Sequence, residues 1–241
     1  MAFNDFINYK CEYRKGLVAF LDILGFKQFI SCAHPSDIYS LYMLISTNYE
    51  ISLNNNINIA VFSDSIIITS EDVNNTNFMS ACYLIINQIY WNFGLFVRGG
   101  ISYGYYYCSN NISFGQAIVD AYLCEEDAKD IKIAIDKKAL PFIMKHYSWC
   151  LDQEDEKYSI NQFIFQNKIL IEMGKEAFKA KNLDIEKTFK LDRENIIYLL
   201  RKYSNTSLYS KYLWMLKSFN NFCDYLKQHE IFMEKIKIDE I

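Results

Sequence analysis

The sequence predicts an α+β sandwich of the ferredoxin-like kind, extended by helices at its C-terminal end. Three observations predict it. Strand-like and helix-like segments alternate along most of the chain, an antiparallel hairpin stands in their midst, and the final stretch is helical throughout. A parallel doubly wound sheet would not contain that hairpin.

The elements follow in order. Leu17 to Leu24 reads LVAFLDIL, a continuous apolar run with one acid inside it, which fits a buried central strand. Gly25 breaks the run, and Phe26 to Ile30 enters a helix. Ser36 to Tyr49 carries Ile38, Leu41, Tyr42 and Ile45 at helical spacing, with Ser36 after Pro35 as its N-cap. Ile57 to Thr69 holds two β-branched runs on either side of Phe62-Ser63-Asp64-Ser65, a tight hairpin with Asp64 at its turn. Thr76 to Phe93 is a helix with Phe78, Cys82, Ile85, Ile86 and Ile89 on one face. Phe96 to Tyr107 is a glycine-punctuated strand, and glycines there mark close approach of another backbone or a ligand. A helix from Phe114-Gly115 to about Lys129, a strand at Ile131 to Asp136 and one more strand within Tyr158 to Met173 complete the alternation. The tail is helical over Arg193 to Tyr203 and Ser207 to Glu234, with Tyr198, Leu199, Tyr203, Tyr209, Tyr212, Leu213, Leu216 and Phe219 supplying apolar faces. With no Pro/Gly/Ser-rich linker, the chain divides near residue 150, into 16–150 and a remainder, 151–241, that completes the core and adds the helices.

Composition narrows the function classes. Among 241 residues, 51% are hydrophobic and 17% aromatic, enough for a substantial core. The formal net charge of −4 supplies no general attraction to nucleic acid or anionic membranes. Seven scattered cysteines without a C-x-x-C pair read as reduced thiols, and three histidines are too few and too badly spaced for a zinc site. There is no signal-peptide pattern and no membrane-length apolar run, so a soluble, cytoplasmic protein is expected.

Two acids carry the chemistry. Burying the Asp22 carboxylate alone costs several kcal/mol, so it needs a partner or a metal. Asp64, at a hairpin tip, has the ordinary reading of a turn residue. If the hairpin lies beside the first strand, the two carboxylates stand on neighbouring strands about 5 Å apart and repel unless a cation lies between them. Oxygen donors of this kind suit magnesium or manganese.

Phe20-Leu21-Asp22-Ile23-Leu24-Gly25-Phe26 resembles the F-x-D-I-x-G-F motif of class III nucleotide cyclases. Phe62-Ser63-Asp64-Ser65 is similar to the hairpin carrying their second metal-binding Asp, Val97 to Gly104 to their R-x-G-I-x-x-G strand, and Phe114 to Ala121 to the helix that follows. The four motifs span residues 16–136 in order. Their wording, with Lys211-Tyr212-Leu213-Trp214-Met215-Leu216 in the tail, resembles the pyrimidine cyclases of bacterial Pycsar anti-phage systems. That resemblance implies a class III catalytic core that converts UTP, or CTP, to the 3′,5′-cyclic monophosphate for a separate effector. It implies a homodimer and two Mg or Mn ions held by Asp22, Asp64 and the backbone carbonyl of Ile23. It also implies nucleotide contacts from Phe20, Gly25, Phe26, Ala60 and Arg98, with backbone N–H groups at the helix start facing the phosphates. Purine cyclases carry base-reading residues where this chain has Ala60 and Ile112, and a transition-state Asn and Arg where it has Val119 and Leu123. Arg98, Lys137 and Lys138 are the alternative cations. An adenylate cyclase-like enzyme and a catalytically degenerate nucleotide-binding dimer are the competing readings.

Overall fold

In the computed structural model the structure describes residues 12–53, 56–74, 76–109, 112–128, 130–154, 156–167 and 185–228. An eight-stranded sheet organises them. Its strands are β1 (Arg14–Ile23), β2 (Ile57–Phe62), β3 (Ser65–Ser70), β4 (Val97–Ser109), β5 (Ile112–Phe114), β6 (Ile133–Ile135), β7 (Leu151–Glu154) and β8 (Lys157–Ile160). They lie in the order β2-β3-β1-β4-β6-β8-β7, with β5 folded back on β4. The β4–β6 pair is parallel and the other pairings are antiparallel. The sheet is thus α+β, as expected, and the parallel step is the one that needs a helical crossover.

The helices are α1 (Phe26–Cys32), α2 (Pro35–Leu53), α3 (Asn77–Phe93), α4 (Gln116–Ala128), α5 (Leu140–Tyr147), α6 (Gln162–Gln166), α7 (Ile185–Lys202) and α8 (Tyr209–Gln228). One face of the sheet is sealed by the large core. Leu17, Ala19, Leu21 and Ile23 of β1 point there, with Ile66 and Ile68 of β3 and the stripe Phe78, Cys82, Ile85, Ile86 and Ile89 of α3. The other face carries a smaller cluster in which Ala117, Ile118 and Ala121 of α4 cover Val18 and Tyr106. Period-2 alternation along β1 makes this division, because Val18, Phe20 and Asp22 all face the α4 side.

Three details differ from the sequence expectations. The α2 helix begins at Pro35, and His34 caps it: its Nδ1 accepts from the Ser36 N–H at 3.3 Å and from the Ser36 hydroxyl at 2.8 Å. Pro35, which needs no N–H partner, suits the first helical position, so the start lies one residue before the expected cap. The strand sought in Tyr158 to Met173 is a short one, Lys157–Ile160, paired with β7 in a hairpin the sequence hid. Asn161 then opens α6 by accepting the Ile164 N–H at 3.1 Å, which stops the strand. Residues 168–173 and 229–234 of the expected strand and tail helix lie outside the described residues. In the tail, Tyr198 and Leu213 are exposed. The buried stripe is Phe189, Ile196 and Leu200 of α7 against Tyr212, Met215, Phe219, Phe222 and Leu226 of α8. No helix among the described residues is long and apolar enough to cross a membrane, and every described cysteine is a free thiol.

Candidate functional site

The site is built where β1 ends. Asp22 faces Ser65 of β3 on one side and Arg98 of β4 on the other. The β2–β3 turn is latched to the same strand end by backbone alone: the Ile23 N–H donates to the Asp64 carbonyl oxygen at 3.0 Å. The Tyr42 hydroxyl holds the neighbouring Ser63 carbonyl at 3.0 Å. Ser63 itself takes a left-handed conformation, φ 56°, which closes the two-residue loop. Asp22 and Asp64 are therefore brought together at adjacent strand ends, and both are partly accessible.

Immediately beyond, the Leu24 N–H donates to the Phe96 carbonyl at 2.8 Å and Gly25 turns the chain into α1. Gly25 has φ 78°, and a Cβ there would meet nothing within 4 Å, so conformation rather than space demands glycine. The Phe26 ring is buried in the core, edge-on to Tyr42. What Phe26 can offer a ligand is its backbone. The sheet also lines up Ala60, Ile67 and Phe20 across β2, β3 and β1, on the face that carries Asp22. Phe20 is half-buried and packs edge-on against Tyr122 of α4, with ring centroids 5.4 Å apart.

A carboxylate that the sequence reading missed joins Asp22. Arg98 Nε lies 2.9 Å from Asp22 Oδ2 and 2.8 Å from Glu125 Oε1 of α4. Nε carries one hydrogen, and its hydrogen bond goes to Asp22. Glu125 Oε1 is left buried with a charge contact but no hydrogen bond. Burial pushes the Glu125 carboxyl above the usual range; Arg98 pulls it back and Asp22 pushes it up further. Gly100 makes the approach possible: a Cβ there would lie 2.1 Å from the Ala121 carbonyl oxygen and 2.9 Å from the Glu125 nitrogen. Glu125 follows Ala117 and Ala121 at a spacing of four, so it continues the small-residue face that seats α4 on β4. An acid in line with two buried alanines was the signal available in the sequence.

The donor set fits a divalent cation in kind. Asp22, Asp64 and the Ile23 carbonyl are hard oxygen donors at one point in the fold. Among the described residues no group of three or more His, Cys, Asp or Glu side chains forms a metal-ligating cluster. Two carboxylates alone leave most of an octahedral shell to water and to substrate oxygens.

The lysines nominated by the sequence lie elsewhere. Lys137 and Lys138 line a cleft of roughly 360 Å³ between α4, β6 and β8, together with Lys132 and Lys157 and the acids Asp120, Asp127, Asp136 and Glu154. Lys138 Nζ donates to Asp120 Oδ2 at 2.6 Å, and the Ser102 hydroxyl donates to Asp136 Oδ2 at 2.9 Å. Burial alone would raise the Asp120 pKa, but the hydrogen bond and charge of Lys138 and the hydrogen bond from Gln116 outweigh it and lower it; the bond to Asp120 raises that of Lys138. The cleft shares no lining residue with the Asp22–Arg98–Glu125 cluster, so one chain carries two separate polar regions. Several apolar side chains are also exposed: Val119, Tyr122 and Leu123 of α4 and Ile112 and Phe114 of β5. Leu123 also lines the cleft.

No protein-family model matches the sequence, and no curated protein matches it. Solved structures share its fold. The chain is similar to the monomeric guanylyl cyclase domain of the RhoGC fusion protein from the aquatic fungus Blastocladiella emersonii, with 15% identity and a TM-score of 0.51 over 63% of this chain and 98% of that one. A double mutant of that domain gives 16% identity and a TM-score of 0.52 over 63% and 97%. A bacterial light-regulated adenylyl cyclase gives 12% identity and a TM-score of 0.50, over 68% of this chain and 58% of that longer one. The mixed sheet with its helices is the catalytic-domain fold of class III nucleotide cyclases.

Proposed function

We propose that this chain is a nucleotide cyclase that converts a pyrimidine nucleoside triphosphate, UTP or CTP, to the 3′,5′-cyclic monophosphate and pyrophosphate. The observation that carries the reading is the convergence of Asp22 and Asp64 on adjacent strand ends, latched by the Ile23 N–H to Asp64 carbonyl bond. Two divalent cations, when bound there, supply the Lewis acidity that activates the ribose 3′-hydroxyl and stabilises the leaving group. The chain's own residues do the rest. Asp22 and Asp64, with the Ile23 carbonyl, would hold the cations. Backbone N–H groups after Gly25 would face the phosphates, and Arg98 would offer its guanidinium to the triphosphate. The 3′-oxygen forms a bond to the α-phosphorus, its proton leaves to solvent, and the bond from the α-phosphorus to the bridging oxygen breaks to release pyrophosphate.

The pyrimidine assignment rests on the motif resemblance and on what stands at the purine-reading positions: Ala60, a small side chain beside Ile67 and Phe20, and Ile112, exposed on β5. The exposed apolar residues of α4 and β5, beside a lysine-rich cleft, support a homodimer in which one chain's cleft meets the other's carboxylates. The resemblance also supports a signalling role in anti-phage defence, with the cyclic product acting on a separate effector. One observation favours a second reading, a nucleotide-binding module without turnover: Val119 and Leu123 are apolar where the related enzymes place transition-state groups.

The test is incubation with ATP, GTP, CTP and UTP in turn, with manganese, following pyrophosphate and the cyclic product. Product from UTP or CTP that disappears in Asp64→Ala supports the reading. Turnover of ATP alone overturns the base assignment. Nucleotide binding without turnover by a folded dimer favours the module.

A further inference from the structure

Two acids at the end of β1 claim one hydrogen. The Arg98 Nε–H is donated to Asp22 Oδ2. Glu125 Oε1 stands just as close to the same nitrogen and, among the described residues, accepts no hydrogen bond. The two acids differ in what else can serve them. The Asp22 side chain is 19% exposed and can turn to water or to a cation, whereas that of Glu125 is 5% exposed and cannot. The bond has therefore gone to the acid that needs it less. A buried charged acceptor without a donor is costly, and in a folded protein such a group calls for a reason.

The fold holds all three groups in place. Asp22 and Arg98 are paired residues of β1 and β4. Helix α4 is seated on β4 at Gly100, where a Cβ would strike the Ala121 carbonyl and the Glu125 nitrogen. Both carboxylate oxygens lie within hydrogen-bond distance of Nε, so a turn of the guanidinium redirects the hydrogen with no movement of the backbone. The three groups carry one net negative charge. With Asp22 engaged by a divalent cation, the Arg98–Glu125 pair that remains is neutral, and the orphaned oxygen gains its donor.

We propose that Glu125 is a positioning residue for the candidate metal site: it takes the Arg98 Nε–H as Asp22 turns to a divalent cation, which frees Asp22 to ligate and keeps Arg98 ordered beside it. The cation rests on the cyclase reading, but the exchange of partners is testable without turnover.

The experiment titrates manganese into the full chain, followed by electron paramagnetic resonance, for wild type, Asp22→Asn, Glu125→Gln, Arg98→Met and the double variant of the last two. Circular dichroism establishes that each is folded. Asp22→Asn identifies the site by abolishing binding. Glu125→Gln weakens binding about tenfold, the difference between a charged and a neutral acceptor for Arg98. In the Arg98→Met background the same change costs no more than about threefold, since no arginine is left to hand over. A second measurement does not need that background. By nitrogen-15 NMR, magnesium shifts the Arg98 Nε–H signal in wild type and leaves it protected from solvent, whereas in Glu125→Gln its exchange quickens about tenfold. Equal manganese affinity of Glu125→Gln and wild type overturns the proposal, as does binding that survives Asp22→Asn. An equal loss in both backgrounds overturns it too, since Glu125 then acts through its field alone, and so does an Arg98 signal that magnesium leaves unmoved. Folded wild type that binds no manganese, with or without a nucleoside triphosphate, overturns the cyclase reading and the proposal together. Binding that follows the predicted cycle without turnover of any nucleotide overturns the cyclase reading and leaves Glu125 its role.

Discussion

Arg98 Nε serves Asp22 and Glu125 at once, at 2.9 and 2.8 Å, with a single hydrogen between them. The bond goes to Asp22, and Glu125 depends on proximity of charge. Arg98→Met leaves a buried carboxylate uncompensated. The expected loss is about 2 kcal/mol, below the value for fully buried pairs because Arg98 keeps some solvent contact. Arg98→Met with Glu125→Gln should recover most of it. Urea denaturation of the two variants checks this, and equal stabilities would show that Glu125 is already neutral.

Asp64 is held in place by its carbonyl, which accepts from the Ile23 N–H, so under the proposed function its side chain would contribute chemistry rather than position. Asp64→Ala should lower any nucleotide turnover by about a thousandfold, the scale of a lost electrostatic contact to the reacting groups. Its thermal midpoint should move by no more than a few degrees. A large fall in the midpoint would show that the carboxylate also holds the hairpin.

The Gly100 contact with Ala121 is backbone against missing Cβ, and nothing flexible can yield. Gly100→Ala should destabilise by about 2 kcal/mol or more through overpacking and lift α4, separating Glu125 from Arg98. Chemical denaturation reads the first effect. A weaker dependence of stability on the charge of residue 125 in the Gly100→Ala background reads the second.

Asp192 of α7 is buried against α3, where the Tyr90 hydroxyl donates to it. Burial raises its pKa from 3.8 to about 6, only partly offset by that hydrogen bond. The folded value exceeds the unfolded one, so the neutral acid is favoured by folding. Its contribution is complete below about pH 4 and is lost as pH rises through about 6. The lost stability is on the order of 2–3 kcal/mol. Asp192→Asn should remove this part of the pH dependence between pH 4 and 7 while Tyr90 still finds an acceptor. An unchanged slope in thermal or urea melts would place the titration elsewhere.

The sequence shows most plainly what periodicity controls. The β1 run with its single acid, the hairpin around Asp64 and the α3 stripe are written as local patterns, and the fold uses each as a unit. The β7–β8 hairpin is not legible. Its strands are four residues each and polar at their edge, and pairing of β8 with β6 and of β7 with β8, rather than local propensity, makes them strands. Helix α5 was missed because Leu140-Pro141 reads as a break, although proline is accommodated in a first turn. Glu125 was missed for a different reason. Its meaning comes from Arg98, on another element, and from the absent side chain of Gly100.

The row Ala60, Ile67 and Phe20 beside the carboxylates contains no side chain able to donate or accept a hydrogen bond. If this chain acts on a nucleotide as proposed, that flank can favour a flat ring over water but is blind to the ring's edge. Telling one base from another would then fall to exposed backbone or to groups outside this row. Selectivity could be retuned there by substitutions that leave the strand ends untouched.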